Sequence, residues 1–335
     1  MIEYADVIVD LQAGDTGKGK VAHSLANTPN EYTHIIRYNG GGNAGHTIYH
    51  NGQKIVTHFI PCGVLFGIKS IIGPGCVVDP VKLVEEAKQL ESLGFDVKGN
   101  LFIDIRSHII TDAHKLEDSK DNIIGTTKTG NGPAYEHKYG RAGIRAENCP
   151  ELEELLIDLY HELHGKEPVK ILFEGVQGFE LDIDWGDYPY VTSSHCMVGG
   201  AILNGVPPQK VRKVYGVAKA YRTYVGNKQF ELSNPIFDKI REVGGEYGAT
   251  TGRKRQIGWT DIDMLIKSIR LNGVTDLVVN KLDVLEQIDI FPLIYSDTLI
   301  NFASSDEFCK YFLQKITENC ETIERITFSK TPHNI

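Results

Sequence analysis

The sequence predicts an α/β protein: one large domain, residues 1–335, with a central, mostly parallel β-sheet flanked by helices. Three observations carry this. Apolar runs of strand length recur along the chain, among them Val7-Ile8-Val9, Val169-Lys170-Ile171-Leu172-Phe173 and Thr275-Asp276-Leu277-Val278-Val279, and they read as buried strands. Helical patterns lie between them, and strand–helix–strand alternation argues for parallel pairing with right-handed crossovers. Glycine-rich stretches stand at strand ends, where open α/β sheets place ligands.

Taken in order, Ala5–Val9 is the first strand and Val21–Ala26 the first helix. Between them Gly14-Asp15-Thr16-Gly17-Lys18-Gly19-Lys20 turns on glycines, which aims backbone N–H groups at one point and suits a phosphate. Thr33–Tyr38 is a second strand. His46–His50 and Gln53–Ile60 form a hairpin about Asn51-Gly52, a strong hairpin dipeptide. Gly40-Gly41-Gly42-Asn43-Ala44-Gly45 matches G-x-G-x-x-G in form but opens a strand, so a dinucleotide fingerprint is excluded. Ser70–Gly73 and Cys76–Val78 are short strands, and Pro80 opens a helix whose apolar residues are Val81, Leu83, Val84, Ala87 and Leu90. Leu101–Ile105 is a strand, 122–145 a long Gly/Thr-rich loop, and Pro150–Leu163 an amphipathic helix closed by Gly165. Val169–Phe173 delivers Glu174-Gly175-Val176-Gln177-Gly178, and a helix is expected from His195. Val211–Ala220 is a strand with Tyr221–Phe230 as its exit loop. Thr275–Val279 ends in Asn280-Lys281-Leu282-Asp283, and Arg325 begins a last strand.

Composition narrows the function. With 335 residues, 41% of them hydrophobic, the chain can bury a large core. The net charge of −9 argues against bulk-charge binding to nucleic acid. No apolar run approaches the ~18 residues that a membrane helix needs. The six cysteines form no C-x-x-C pair, which fits reduced thiols in a cytoplasmic protein and neither a zinc site nor a disulfide framework.

Four segments carry chemistry. In the first loop, Asp15 within an anion cradle makes sense as a Mg²⁺ ligand or a proton acceptor. The loop is too short for G-x-x-x-x-G-K, and no Ser or Thr follows Lys18, so this is not a Walker A loop. His46 is presented beside a backbone kept bare by glycines. Thr250-Thr251-Gly252-Arg253-Lys254-Arg255 offers hydroxyls and guanidinium groups as a clamp for carboxylates or phosphates. Asn280-Lys281-Leu282-Asp283 at a strand end places a carboxylate where it can accept from guanine N1–H and the 2-amino group.

In this order, these motifs resemble the adenylosuccinate synthetase family over nearly the whole chain. The resemblance rests on residues 14–20, Asn43-Ala44-Gly45-His46-Thr47, Gly125-Thr126-Thr127, residues 174–178, Tyr188–Ser194, Gly248–Arg253 and Lys281-Leu282-Asp283. It implies a P-loop-NTPase-like sheet with long active-site loops. It further implies a ligase that joins L-aspartate to C6 of a 6-oxopurine nucleotide with GTP and Mg²⁺. By resemblance, Asp15 removes the N1 proton, His46 hydrogen-bonds the developing charge, and Lys18 belongs to the catalytic set. Mg²⁺ would lie near Asp15 and the Gly45 carbonyl. The purine nucleotide would meet Asp15, Asn43, Ala44, Gly45, Thr127, Gln177, Thr192, Val225 and Arg253, with Arg141 reaching in from the second subunit of a homodimer. Aspartate would meet Ala249, Thr250, Thr251, Gly252, Arg253 and Arg255. GTP would meet Gly14, Thr16, Gly17, Lys18, Gly19, Lys20, Gly45, His46, Thr47 and Arg255, then Lys281, Leu282, Asp283, Ser329, Lys330 and Thr331.

Two departures matter. The family's Q-W-G-D-E-G-K-G-K carries Ala13 for Trp and Thr16 for Glu here, and its T-R-V-G loop carries Tyr224 for Arg. Together with Asp10-Leu11-Gln12 these look like a phage branch that takes dGMP and makes a 2-aminoadenine DNA precursor. The sequence expectation is therefore dGMP, in the host cytoplasm if phage-encoded, with IMP and ordinary purine biosynthesis as the alternative.

Overall fold

A computed structural model describes residues 1–248 and 252–331. Strand β1 (Ile2–Asp10) leads into helix α1 (Lys18–Ala26), then β2 (His34–Arg37) and the hairpin β3 (His46–His50) and β4 (Gln53–Thr57). Next come β5 (Lys69–Ile72), β6 (Val77–Val78), α2 (Pro80–Ser92), β7 (Leu101–Asp104), β8 (His108–Ile109), α3 (Asp112–Asp118) and α4 (Asn131–Tyr139). Then follow β9 (Leu156–Ile157), α5 (Leu159–Leu163), β10 (Val169–Glu174), α6 (Val198–Ile202), β11 (Val211–Lys219) and β12 (Tyr221–Tyr224). The chain continues with α7 (Ile236–Gly244), β13 (Gln256–Asp261), α8 (Ile262–Asn272), β14 (Asp276–Asn280) and α9 (Leu282–Ile288). It closes with β15 (Phe291–Tyr295), β16 (Thr298–Phe302), α10 (Ser305–Asn319) and β17 (Arg325–Phe328).

Nine strands form one sheet in the order β17-β14-β11-β1-β10-β2-β5-β7-β9. Every pairing in it is parallel. Successive residues of the central strands enter opposite cores: Val7, Val9, Ile171 and Phe173 pack on one face, Ile8 and Leu172 on the other. A strand buried on both faces has no polar side, which is why these segments read as unbroken apolar runs. A second sheet, β12-β13-β15-β16, stands beside the first. No helix among the described residues is long and apolar enough to cross a membrane.

The sequence expectations fail where short elements interrupt a pattern. Residues 150–163 are not one helix. A 3₁₀ turn, Pro150–Leu155, gives way to β9, which pairs with Ile103 and Asp104 at the edge of the large sheet. The Asp158 side chain then accepts from Tyr160 N–H and caps a new helix. Leucines at helical spacing satisfied the helix pattern without revealing this break. The long loop holds α4, entered through Gly130 at φ +83°. The exit loop after β11 is in part a strand, Tyr221–Tyr224, paired antiparallel with β13. The helix expected from His195 starts at Val198, and Val81 of α2 faces solvent.

Candidate active site

The strand order reverses about β1, and the carboxyl ends of β1, β10, β11 and β14 open into one cleft of about 840 Å³, the place where such sheets bind ligands. After Asp10 the chain turns through Gly14 (φ +86°), Asp15 (φ +55°) and Gly17 (φ +101°) before α1 begins. A Cβ on Gly17 would stand 2.7 Å from Asn280 Nδ2, and Asn280 Nδ2 donates to the Thr16 carbonyl at 2.7 Å. The end of β14 is thus fastened to the first loop. A Cβ on Gly19 would stand 2.9 Å from His46 Cβ, so glycine there lets β3 lie against the start of α1.

Beneath the loop, Asp10 is fully buried. Its carboxylate accepts from Gln12 N–H at 2.9 Å, from Lys18 Nζ at 2.7 Å and from the Thr16 hydroxyl. Lys18 lines the cleft, but its ammonium is held by this carboxylate. His46 Nδ1 bonds to Glu174 Oε1, and the other Glu174 oxygen accepts Cys62 N–H at 3.0 Å. Burial pushes the Glu174 carboxyl up, yet His46 and Arg37 outweigh that and hold it at about 2. Burial pushes His46 down against the pull of Glu174. Its Nε2 is buried without a hydrogen-bond partner among the described residues.

Asp15 is reached by Arg255, whose Nε donates to Asp15 Oδ2 at 2.7 Å. Arg255 Nη1 donates to Glu246 Oε2 at 2.6 Å. Glu246 also accepts from Lys219 Nζ at 2.9 and 2.8 Å and from the Tyr221 hydroxyl at 2.7 Å. Burial pushes the Glu246 carboxyl up, but Lys219 and Arg255 hold it down at about 2. Burial pushes Lys219 down to about 8 despite that carboxylate.

The cleft gathers most of the residues expected from sequence. Gly14, Asp15, Thr16, Gly17, Lys18, Gly19, Lys20, Asn43, Ala44, Gly45, His46, Thr47, Thr127, Gln177, Thr192, Val225, Arg253, Arg255, Lys281, Asp283 and Thr331 all line it. Gln177 Nε2 and Asn131 Nδ2 both donate to Asn43 Oδ1, at 2.9 and 2.7 Å. Arg253 Nη1 donates to the Gly125 carbonyl at 3.0 Å and so ties two loops together across the mouth. Lys20 Nζ donates to Ser329 Oγ at 2.6 Å.

Other expected residues lie elsewhere. Leu282 is a core residue of α9. Lys330 pairs with Glu286 at 2.6 Å on the surface. Gly252, at φ +65°, donates its N–H to the Gly248 carbonyl at 2.8 Å and does not line the cleft. Arg141 is exposed and lies outside the cleft of its own chain. Ala249, Thr250 and Thr251 lie outside the described residues. Sequence reasoning missed Asp10, Lys219, Glu246 and Asn280 as site residues. Three of these are the last residue of a strand, and a polar residue closing an apolar strand was the available signal.

The donors fit Mg²⁺. Asp15 and Gly45 line the same cleft, and a carboxylate together with a backbone carbonyl offers the hard oxygen donors that suit that ion.

The adenylosuccinate synthetase family model matches residues 7–168 and 150–296. The chain belongs to the adenylosuccinate synthetase family. It is therefore an enzyme of a family of GTP-dependent ligases, which bind GTP, aspartate and a purine nucleotide and generally use Mg²⁺. It is 40% identical to the adenylosuccinate synthetase of Chlorobium chlorochromatii, a match covering 85% of this chain and 78% of that one. To that of Chlorobium limicola it is 41% identical, covering 84% and 77%. The fold is similar to the fully ligated Plasmodium falciparum adenylosuccinate synthetase (TM-score 0.84, 30% identity, 98% of each chain). It is also similar to a cyanophage S-2L succinoaminodeoxyadenylate synthetase bound to dGMP and dATP (TM-score 0.76, 23% identity, 99% and 94%), a likeness of fold alone.

Proposed function

We propose that this enzyme joins L-aspartate to C6 of a 6-oxopurine 5′-monophosphate, converting GTP to GDP and phosphate, and that IMP is its purine nucleotide. One observation carries the reaction type: Asp15, with one oxygen free among the described residues, shares the cleft with His46, whose Nε2 has no partner among them, and with the Asn280–Asp283 strand end. Asp15 Oδ1 takes the N1 proton of the purine lactam, making O6 nucleophilic toward the γ-phosphate. His46 stands beside the charge that develops, and its ring is fixed by Glu174. Asp283, on the same cleft, reads the guanine base. Arg253 and the Thr250-Thr251 hydroxyls hold the aspartate carboxylates, and its amine displaces phosphate from C6. Asp15 and the Gly45 carbonyl would hold Mg²⁺, which neutralises phosphate charge when bound. The IMP reading is supported by the names of the 40%-identical relatives, since adenylosuccinate is the aspartate adduct of a purine without a 2-amino group.

A second reading, dGMP, is favoured by particular residues. Ala13 and Thr16 are smaller than the family's Trp and Glu, and the Thr16 hydroxyl is turned onto Asp10. Tyr224 lines the same cleft. Guanine presents the same N1–H and C6=O, so the chemistry is unchanged. Phosphate release with GTP, Mg²⁺ and L-aspartate, compared for IMP, GMP and dGMP, tests both. IMP turnover alone supports the first reading, and dGMP turnover well above IMP replaces it with the second. Aspartate-independent GTP hydrolysis, or none with any nucleotide, refutes both.

A further inference from the structure

Glu246 lies one residue before the loop that carries Arg253 and Arg255, and its side chain does not reach the cleft. It nevertheless accepts from three side chains. A fully buried carboxylate takes an ammonium, a guanidinium and a phenol hydroxyl at once. Both cations are themselves held out of solvent, the Lys219 side chain at 2% and that of Arg255 at 13% exposure. Two positive groups packed so closely repel each other unless an anion stands between them. Glu246 is that anion. With Asp15 at the far end, the row Lys219–Glu246–Arg255–Asp15 alternates in sign and sums to zero.

The backbone reinforces the placement. Arg255 N–H donates to the Glu246 carbonyl at 3.0 Å, so residues 246 and 255 pair across the neck of the loop while their side chains pair above it. Tyr221 belongs to β12, next to β13, which begins at Gln256. The carboxylate is thus fixed from β11, β12 and the loop neck together. Arg255 has one guanidinium edge on Glu246 and the other on Asp15, so its direction is set from behind.

We propose that Glu246, backed by Lys219, is a positioning residue that holds the Arg255 guanidinium against Asp15. The proposal rests on the functional reading above. Glu246 touches no substrate. It determines where the guanidinium stands when GTP enters. Misplacing such a group by about an ångström costs on the order of 100-fold in rate.

The test is a double-mutant cycle of wild type, E246Q, R255M and E246Q/R255M, read as kcat and KM for GTP and for aspartate. The expected result is a kcat loss of roughly 10- to 100-fold for E246Q, with KM for aspartate within about 2-fold of wild type. E246Q/R255M is then no worse than R255M alone, because residues acting through one another do not add. E246D, which keeps the charge, recovers part of the loss. Losses that multiply in the double variant overturn the proposal, as does an E246Q variant with wild-type kcat. E246Q leaves Lys219 buried without its anion, so K219M/E246Q serves as a second variant that removes both charges of that pair. It must fold and still show the E246Q loss. If wild type turns over no purine nucleotide, the functional reading fails, and the same cycle is read from GTP affinity by calorimetry. Non-additive losses there still support the link between Glu246 and Arg255, and additive ones overturn it.

Discussion

Replacing Asp10 by asparagine isolates one buried charge. Lys18 Nζ is 2.7 Å from Asp10 Oδ2, with the two side chains 4% and 0% exposed. At an effective dielectric constant of about 20, the attraction across that gap is about 6 kcal/mol, much of it offset by the cost of taking both ions out of water. The amide removes the charge and adds a second fault. With its oxygen kept on Gln12 N–H, its nitrogen points at two donors, Lys18 Nζ and the Thr16 hydroxyl. A buried ammonium left without its anion costs about 3–5 kcal/mol, and D10N is expected to lose that amount in equilibrium urea unfolding followed by circular dichroism. D10N/K18M, which removes both charges, is expected to regain most of the loss. A D10N loss below about 1 kcal/mol would refute the reasoning, because losses that small belong to pairs that solvent already screens.

Asp15→Asn is expected to lower phosphate release by about 10²–10⁴-fold, the usual contribution of a positioned base, while calorimetry still detects GTP. A Cβ on Gly178 would overlap the Gln12 carbonyl oxygen and stand 2.6 Å from Asp10 Oδ1 and 2.8 Å from Gly14 N. G178A should therefore push β10's exit loop off the glycine-rich first loop and lower both urea midpoint and turnover. Glu174 and Glu246 are held at about 2 in the folded protein, below the ~4.3 of an unfolded glutamate. Their stabilisation is complete above that higher value and is lost as pH falls toward 2. Acid unfolding should fall in that window and be shallower in K219M/E246Q. Chelating Mg²⁺ with EDTA should abolish phosphate release, and added Mg²⁺ should restore it.

The large sheet was legible because its strands are buried on both faces and leave an unambiguous apolar trace. The cleft was legible because ligand loops need glycine, and Gly14, Gly17 and Gly19 each stand where the geometry demands one. Three features escaped. Residues 156–157 form a strand too short to show a period, and the leucines around it imitate a helix. Residues 221–224 form a strand only by pairing with residues 256–259, a partner that local pattern does not identify. The carboxylates Asp10 and Glu246 have no motif of their own, since their importance lies in cations brought to them from positions 18, 219 and 255. Lys18 shows the same limit from the other side: its charge was evident, its direction was not.

The fastening of Asn280 to the Thr16 carbonyl spans 264 positions of chain. The glycine-rich first loop and the segment expected to read guanine are therefore synthesised far apart in time. Most of the sheet can assemble before β14 arrives, yet the cleft lacks one wall until it does. Long-separated contacts of this kind form late and slowly. During refolding, catalytic competence should trail the burial of apolar surface, arriving with the docking of a single strand.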